Sequence, residues 1–362
     1  MKERIASIDV LRGMTILLMI IVNTPGSWSY VYPQLLHAKW HGCTPTDLVF
    51  PSFLFIVGLT LAISFKQITI GAMPRVFKRG ALIFLVGILL NWFPFFTTHI
   101  SELRIFGVLQ RIALAFTGAT LILITTRSNK KLIALAVVSL LVTHWLCLIL
   151  FGDAGSPFSL DGNFARTVDL AILDKQHLYG GLGIPFDPEG LLGTLSSIAQ
   201  VLMGYLTAKW ILSVPLTPKK VRELMLAGAT LIVLGITTDV YYPINKPLWT
   251  ASYVCYTSGI IMIIWALMIW IIDLKKATRW TFPLQVVGIN PLISYVFSSV
   301  LSSTLANIPV SEGSSLYGWL YIHVFQVIFG NYLGSFAFAL TFTSLIWLMA
   351  WWLYRKKIVV KL

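Results

Sequence analysis

HAKWHGCTPTDLVFPSFLFIVG, His37 to Gly58, is the stretch whose reading decides the fold. A polar segment with two histidines passes directly into an apolar run, about residues 46 to 66. A helix of roughly 20 residues crosses a hydrocarbon core of about 30 Å, and this run is long enough to do so. Lipid offers no partner to an open backbone N–H or C=O, so a crossing segment of this kind is helical.

Nine further runs of similar length extend the pattern: residues 8 to 24, 77 to 96, 106 to 126, 131 to 151, 189 to 211, 223 to 241, 249 to 272, 282 to 304 and 333 to 354. Composition agrees, with 57% hydrophobic and 11% charged residues and a mean hydropathy of +0.81, far from the mixture of a soluble domain. The expectation is an all-α polytopic membrane helix bundle of about ten transmembrane helices, forming one domain over residues 1–362. The basic N-terminus runs into the first apolar segment without a small-residue cleavage site, so that segment reads as a retained helix.

Lysine and arginine set the orientation. With the N-terminus cytoplasmic, the inner side holds 21 of the 27, including Lys2, Arg4, Arg12, Lys66, Lys78, Arg79 and Lys361. Lys39, Arg104, Arg111, Arg166, Lys175 and Lys246 are left outside. Both termini are then cytoplasmic, and His37 lies on the outer side. Ten acids, Glu312 among them, also fall outside. That face is therefore negative and suits a cationic amine, whereas the positive inner face suits phosphates. Positive-inside placement accounts for most of the same charges, and nucleic acid is not implied.

Two stretches stand apart from the ten runs. Residues 313–330 are apolar and aromatic but interrupted, and Trp319, Tyr321 and His323 suit an interfacial or re-entrant helix. Residues 152–188 are long for a connection and rich in Asp, which reads as a hood over the outer mouth. Cys43, Cys147 and Cys255 have no metal-type spacing and set no disulfide framework. Phosphate-cradling Gly-x-x-x-x-Gly-Lys, His-Glu-x-x-His and Cys-x-x-Cys patterns are absent, leaving an ATP-driven pump or a zinc protease without a motif.

Polar residues inside apolar runs carry the chemistry. Asn23 closes the first helix before Thr-Pro-Gly, either to cap the break or to meet a ligand. His37 lies in an aromatic setting of Trp28, Tyr30, Tyr32 and Trp40. Asp47 closes Thr-Pro-Thr-Asp, a capping-box pattern that is its first reading, with orienting an imidazole as the second. Gln110 and Arg111 fall in LRIFGVLQRIAL, residues 103 to 114. An arginine there is a site residue, a counter-ion to Asp47 or Glu102, or a snorkelling cation. Asp187 and Glu189, in FDPEGLLGTLSSI from residue 186, either start a helix or bind a sugar amine. Asn290 precedes Pro291 in GINPLISY, a break that exposes backbone groups.

Together with NKPLWTASY at 245 to 253, these motifs resemble the family of heparan-alpha-glucosaminide N-acetyltransferase and its bacterial relatives. The likeness covers nearly the whole chain and is sharpest in His-Ala-x-Trp-x-Gly-x-Thr-x-x-Asp-Leu-Val-Phe-Pro, from His37 to Pro51. It implies a multi-pass enzyme of the bacterial cytoplasmic (inner) membrane that passes acetyl from cytoplasmic acetyl-CoA to an amino sugar of glucosamine type outside. The family's active-site histidine maps onto His37, and the Asn beside its acetyl thioester maps onto Asn23.

His37 would take a proton from the sugar amine, a task suited to an imidazole whose pKa in water is about 6.5, or it would carry the acetyl group itself. Asn23 would donate to the oxyanion, with Asp47 completing the catalytic set. Trp40, His41, Gln110, Arg111, Asp187 and Glu189 are the acceptor-side candidates. Asn290, Arg12, Lys78 and Arg79 are those for the CoA arm and phosphates, and no metal is expected. Family members form homodimers, which leaves the same association open here. The alternative is an amino-sugar transporter without chemistry, which calls for paired broken helices in related halves.

Overall fold

The computed structural model describes residues 5–64, 70–311 and 313–360. Lys2, Arg4, Lys66 and Lys361 of the inner set, and Glu312 of the outer, lie outside these residues.

The chain is an all-α bundle. In order it forms α1 (Ala6–Asn23), α2 (Val49–Ser64), α3 (Met73–Trp92), α4 (Val108–Thr125), α5 (Lys130–Phe151), α6 (Phe164–Leu173) and α7 (Gly193–Ile211). α8 (Pro218–Asp239), α9 (Ala251–Met268), α10 (Phe282–Ile289) and α11 (Pro291–Asn307) follow. A short helix, Leu316–Phe329, and a long C-terminal one, Asn331–Arg355, complete it. The helix starts carry local signals. The Asn129 side chain accepts from the N–H groups of Lys131 and Leu132 to begin α5, and the Thr217 side chain accepts from the Lys220 N–H ahead of Pro218 to begin α8.

All ten runs read from the sequence are helical, but they do not all cross in the same way. Among the described residues, seven helices are long and apolar enough to span a membrane, or eight if Arg279–Ile289 and Pro291–Asn307, bent by 74°, make one span. α3 falls short because Arg75, Lys78 and Arg79 sit in its first turns. α7 falls short because Thr194, Ser196, Ser197 and Gln200, all buried, replace apolar side chains. The helix Leu316–Phe329 is too short to cross, as its interrupted composition led one to expect.

α7 is the centre of the bundle. It contacts α2, α4, α5 and α9, and with α2 it is in backbone contact. A Cβ on Gly58 would lie 1.9 Å from the Val201 carbonyl oxygen, and one on Gly204 would lie 2.1 Å from that of Phe55. Small residues let helix backbones approach where lipid supplies no hydrophobic drive for association. Gly204→Val is therefore expected to lower the melting temperature in detergent, as overpacking costs about 1–3 kcal/mol. A wild-type melting curve for this variant would show that the crossing can open freely.

The connections gather at two ends. At one end, Trp40 donates through Nε1 to the Phe158 carbonyl at 2.8 Å, the Gly42 N–H donates to the Ile244 carbonyl at 2.7 Å, and Arg104 pairs with Asp187 at 2.7 Å. Residues 152–188 include α6 and pack over this end through Phe158, Phe164, Ala165 and Phe186. At the opposite end, Arg12 donates to the Gly288 carbonyl at 3.1 Å and to the Thr60 hydroxyl at 2.9 Å.

Candidate active site

His37 stands on a loop that α2 ties down before it begins. The hydroxyl of Thr44 donates to the Leu36 carbonyl at 2.7 Å, and that of Thr46 donates to the Gln34 carbonyl at 3.3 Å. Both threonines flank Pro45, the first residue of the 3-10 turn Pro45–Leu48 that leads into α2.

Asp47, with a side chain only 1% exposed, uses both oxygens. Oδ2 accepts from the Ala38 N–H at 2.9 Å and the Thr44 N–H at 3.0 Å, and it lies 3.0 Å from the Thr44 hydroxyl, whose one proton goes to Leu36. Oδ1 lies 2.6 Å from His37 Nδ1 and 3.2 Å from Lys246 Nζ. The carboxylate thus caps the turn through one oxygen and holds the imidazole through the other. His37 itself is 49% exposed, and with Nδ1 on Asp47, Nε2 is the nitrogen left to exchange a proton.

Lys246 was not among the residues singled out from the sequence. Its Nζ is 3.0 Å from His37 Nδ1 and 3.5 Å from Nε2. Its neighbour Asn245 is buried and donates to the Trp40 carbonyl at 3.0 Å, and a parallel bridge pairs Gly42 with Asn245. The Asn-Lys-Pro-Leu-Trp-Thr motif was the available signal, though nothing in it says which loop it meets. His41 lies 3.3 Å from the Asn245 amide through Nδ1. Burial lowers its pKa below the ordinary imidazole value despite the charge of Asp239. Burial, reinforced by Asp47, pushes the Cys43 thiol up to about 12, so it stays protonated.

The other acceptor-side candidates form a second, separate cluster. Arg104 donates to Asp187 at 2.8 and 2.7 Å and to Glu189 at 2.6 Å, so both expected acceptor carboxylates are occupied. Burial alone would lower the Arg104 pKa, but these hydrogen bonds and charges outweigh it and hold the guanidinium above its ordinary value. Arg111 is no counter-ion to Asp47 or Glu102. It is buried and donates to the carbonyls of Pro188 at 3.1 Å and Gly190 at 2.8 Å and to the Ser197 hydroxyl at 3.2 Å. Gln110, also buried, donates to the Ile105 carbonyl at 3.0 Å. Trp40 packs on Phe186 with ring centres 5.4 Å apart, linking this cluster to the histidine loop.

Asp169 closes the second cluster. Its Oδ1 accepts from the Leu191 N–H at 2.8 Å, while Oδ2 is buried without a hydrogen bond. Burial, with Asp187 adding to it, pushes this carboxyl from 3.8 up to about 7. The native state therefore holds a proton that the unfolded state releases between about pH 4 and 7, and stability falls as pH rises through that window. Asp169→Asn is expected to flatten this dependence and to melt above wild type at pH 8. Thermal denaturation at pH 5 and pH 8 checks it, and an unchanged slope would remove Asp169 as its source.

Asn23 is exposed at the end of α1, and Thr24 rather than Asn23 bonds back into the helix, at the Ile20 carbonyl.

At the other end of the bundle a cavity of about 450 Å³ opens between α1, α2, α3, α4 and α11. Arg12, Thr60 and Arg79 supply its polar wall, while Phe53, Leu109 and Leu292 belong to its apolar wall. A separate, much smaller void of about 10 Å³ shares those three residues and adds Ile16, Met19, Phe50 and Tyr295. Cations beside an apolar wall suit a ligand that carries both anionic and uncharged parts. Lys78 is exposed and outside this lining. Asn290 is occupied by the chain itself: its Nδ2 donates to the Ile358 carbonyl at 2.9 Å, and its Oδ1 accepts from the Val360 N–H at 2.9 Å.

A model of the catalytic region of heparan-alpha-glucosaminide N-acetyltransferase matches residues 4–157, the part that holds Arg12, Asn23, His37, Asp47 and Arg111. Heparan-alpha-glucosaminide N-acetyltransferase of Homo sapiens is 26% identical over 84% of this chain and 54% of its own length. That of Mus musculus is 26% identical over 83% of this chain and 54% of its own length. The chain spans about half the length of these curated relatives. The resemblance read from the motifs is therefore borne out, and over most of its length this multi-pass chain is similar to heparan-alpha-glucosaminide N-acetyltransferase.

Proposed function

We propose that this chain is a transmembrane acetyltransferase that takes acetyl from cytoplasmic acetyl-CoA and gives it to an amino sugar of glucosamine type on the outer side of a bacterial inner membrane. Both termini are cytoplasmic in this reading. The observation that carries it is the 2.6 Å contact of His37 Nδ1 with the buried Asp47, which fixes the imidazole and directs proton exchange to Nε2.

Nε2 takes the proton of the sugar amine as its nitrogen bonds to the acetyl carbon and the carbon–sulfur bond breaks. The same proton then passes to the departing thiolate. Asn23, exposed at the end of α1, is the proposed donor to the oxyanion. Arg12 and Arg79 hold the phosphates of the donor at the far end, where guanidinium groups suit such ligands. The names of the relatives supply the acceptor class.

The test is purified protein in nanodiscs, given acetyl-CoA with and without glucosamine, followed by free-thiol release and by mass of the sugar. Acceptor-dependent thiol with an acetylated sugar is expected. Absent thiol release, alongside sugar uptake into proteoliposomes, would overturn the reading in favour of a transporter.

A further inference from the structure

Asp47 is almost wholly buried, and a buried carboxylate requires a counter-charge. Two candidates reach its Oδ1: the imidazole of His37 at 2.6 Å and the ammonium of Lys246 at 3.2 Å. If His37 were the sole partner, the carboxylate would draw a proton onto the imidazole, and a protonated imidazole accepts nothing. Lys246 removes that demand. Its side chain is 15% exposed, and the loop that carries it is fastened by the Gly42–Asn245 bridge.

We infer that Lys246 is a positioning residue that supplies the counter-charge of Asp47, so that His37 stays neutral and available as the base. The inference rests on the acetyltransferase reading for its kinetic consequence but not for its electrostatic one.

Among the described residues, no other group facing the cluster can take this part. The Cys43 thiol stays protonated, and Asp239 faces His41. The Tyr253 hydroxyl donates to the backbone carbonyl of Asp47 at 2.6 Å. Lys39 is exposed on the same loop, and no ion pair joins it to Asp47.

With Lys246→Met, the acidic limb of the kcat/KM profile is expected to move up by about one pH unit, a tenfold loss below the limb, since a charge within about 6 Å shifts a titration by that order. Lys246→Arg should restore the limb. Histidine-labelled protein, its six histidines resolved by NMR and the His37 signal assigned with His37→Ala, gives a second readout without turnover. The His37 midpoint should rise in Lys246→Met and return in Lys246→Arg. A fixed limb with a uniform loss of kcat at every pH, or an unmoved His37 midpoint, would overturn the inference. Absent turnover in the wild type combined with a moving midpoint would sink the acetyltransferase reading and leave the role of Lys246 standing.

Discussion

His37→Ala should abolish acceptor-dependent thiol release, with kcat falling about 10²- to 10⁴-fold, the usual worth of a positioned general base. The fold should survive. The side chain is half exposed, so its removal leaves no core cavity, and Lys246 remains 3.2 Å from Asp47 to balance its charge. The melting temperature should therefore stay close to that of wild type, and binding of acetyl-CoA at the far end should be unaffected. His41→Ala provides the contrast. Its ring meets the Asn245 amide rather than a carboxylate, so its loss should appear in the KM for the sugar before it appears in kcat. Turnover within a few-fold of wild type for His37→Ala would mean that the proton leaves by another route. Asp47→Asn is a less clean probe, because Oδ2 also holds the N-terminal turn of α2 and stability would fall along with activity.

The helices were legible because lipid forces the issue: an apolar run long enough to cross must be helical. Their number was less so, since α3 carries its cations at the bundle end and α7 pairs Thr194, Ser197 and Gln200 inside the bundle, and hydropathy cannot weigh partners it does not see. The break at Asn290 and Pro291 was legible from residue type, and the chain bends there by 74°. What fills the Asn290 amide was not, because a backbone carbonyl at Ile358 and an N–H at Val360 have no signature in sequence. In the site, a spacing of ten residues from His37 to Asp47 sufficed to raise an oriented imidazole, although capping was the stronger account. One carboxylate has two oxygens, and both readings find a place on it. Lys246 stayed hidden because it arrives from 209 residues away. The arginines misled for a physical reason. Arg111 looked costly enough to demand an acid, yet its terminal nitrogens go to two carbonyl oxygens and the Ser197 hydroxyl, while Arg104 in the preceding loop takes both acids.

Arg104→Met should be the most destabilising single change outside the core. Asp187 and Glu189 are 2% and 9% exposed, and Arg104 forks across the first and bonds the second. Taking away one partner of a buried ion pair leaves the other charged and unpaired, at a cost of about 3–5 kcal/mol. Here two carboxylates are stranded, with the buried Asp169 close by. The loss should be larger at pH 8 than at pH 5, because Asp169, its carboxyl pushed up to about 7, is neutral at the lower pH and adds no repulsion there. Arg104→Lys should recover only part of it, because an ammonium cannot make the two-pronged contact. Combining Arg104→Met with Asp187→Asn and Glu189→Gln should recover more, since the stranded charges are then gone. Melting curves in detergent at the two pH values decide the matter, and equal curves for wild type and Arg104→Met would show that the pair does not hold the hood. Activity should follow by a separate path. Phe186 precedes Asp187 and packs on Trp40, whose carbonyl accepts from Asn245, the neighbour of Lys246. A loosened hood should therefore weaken acceptor binding while the His37–Asp47 contact, fixed from α2, is kept.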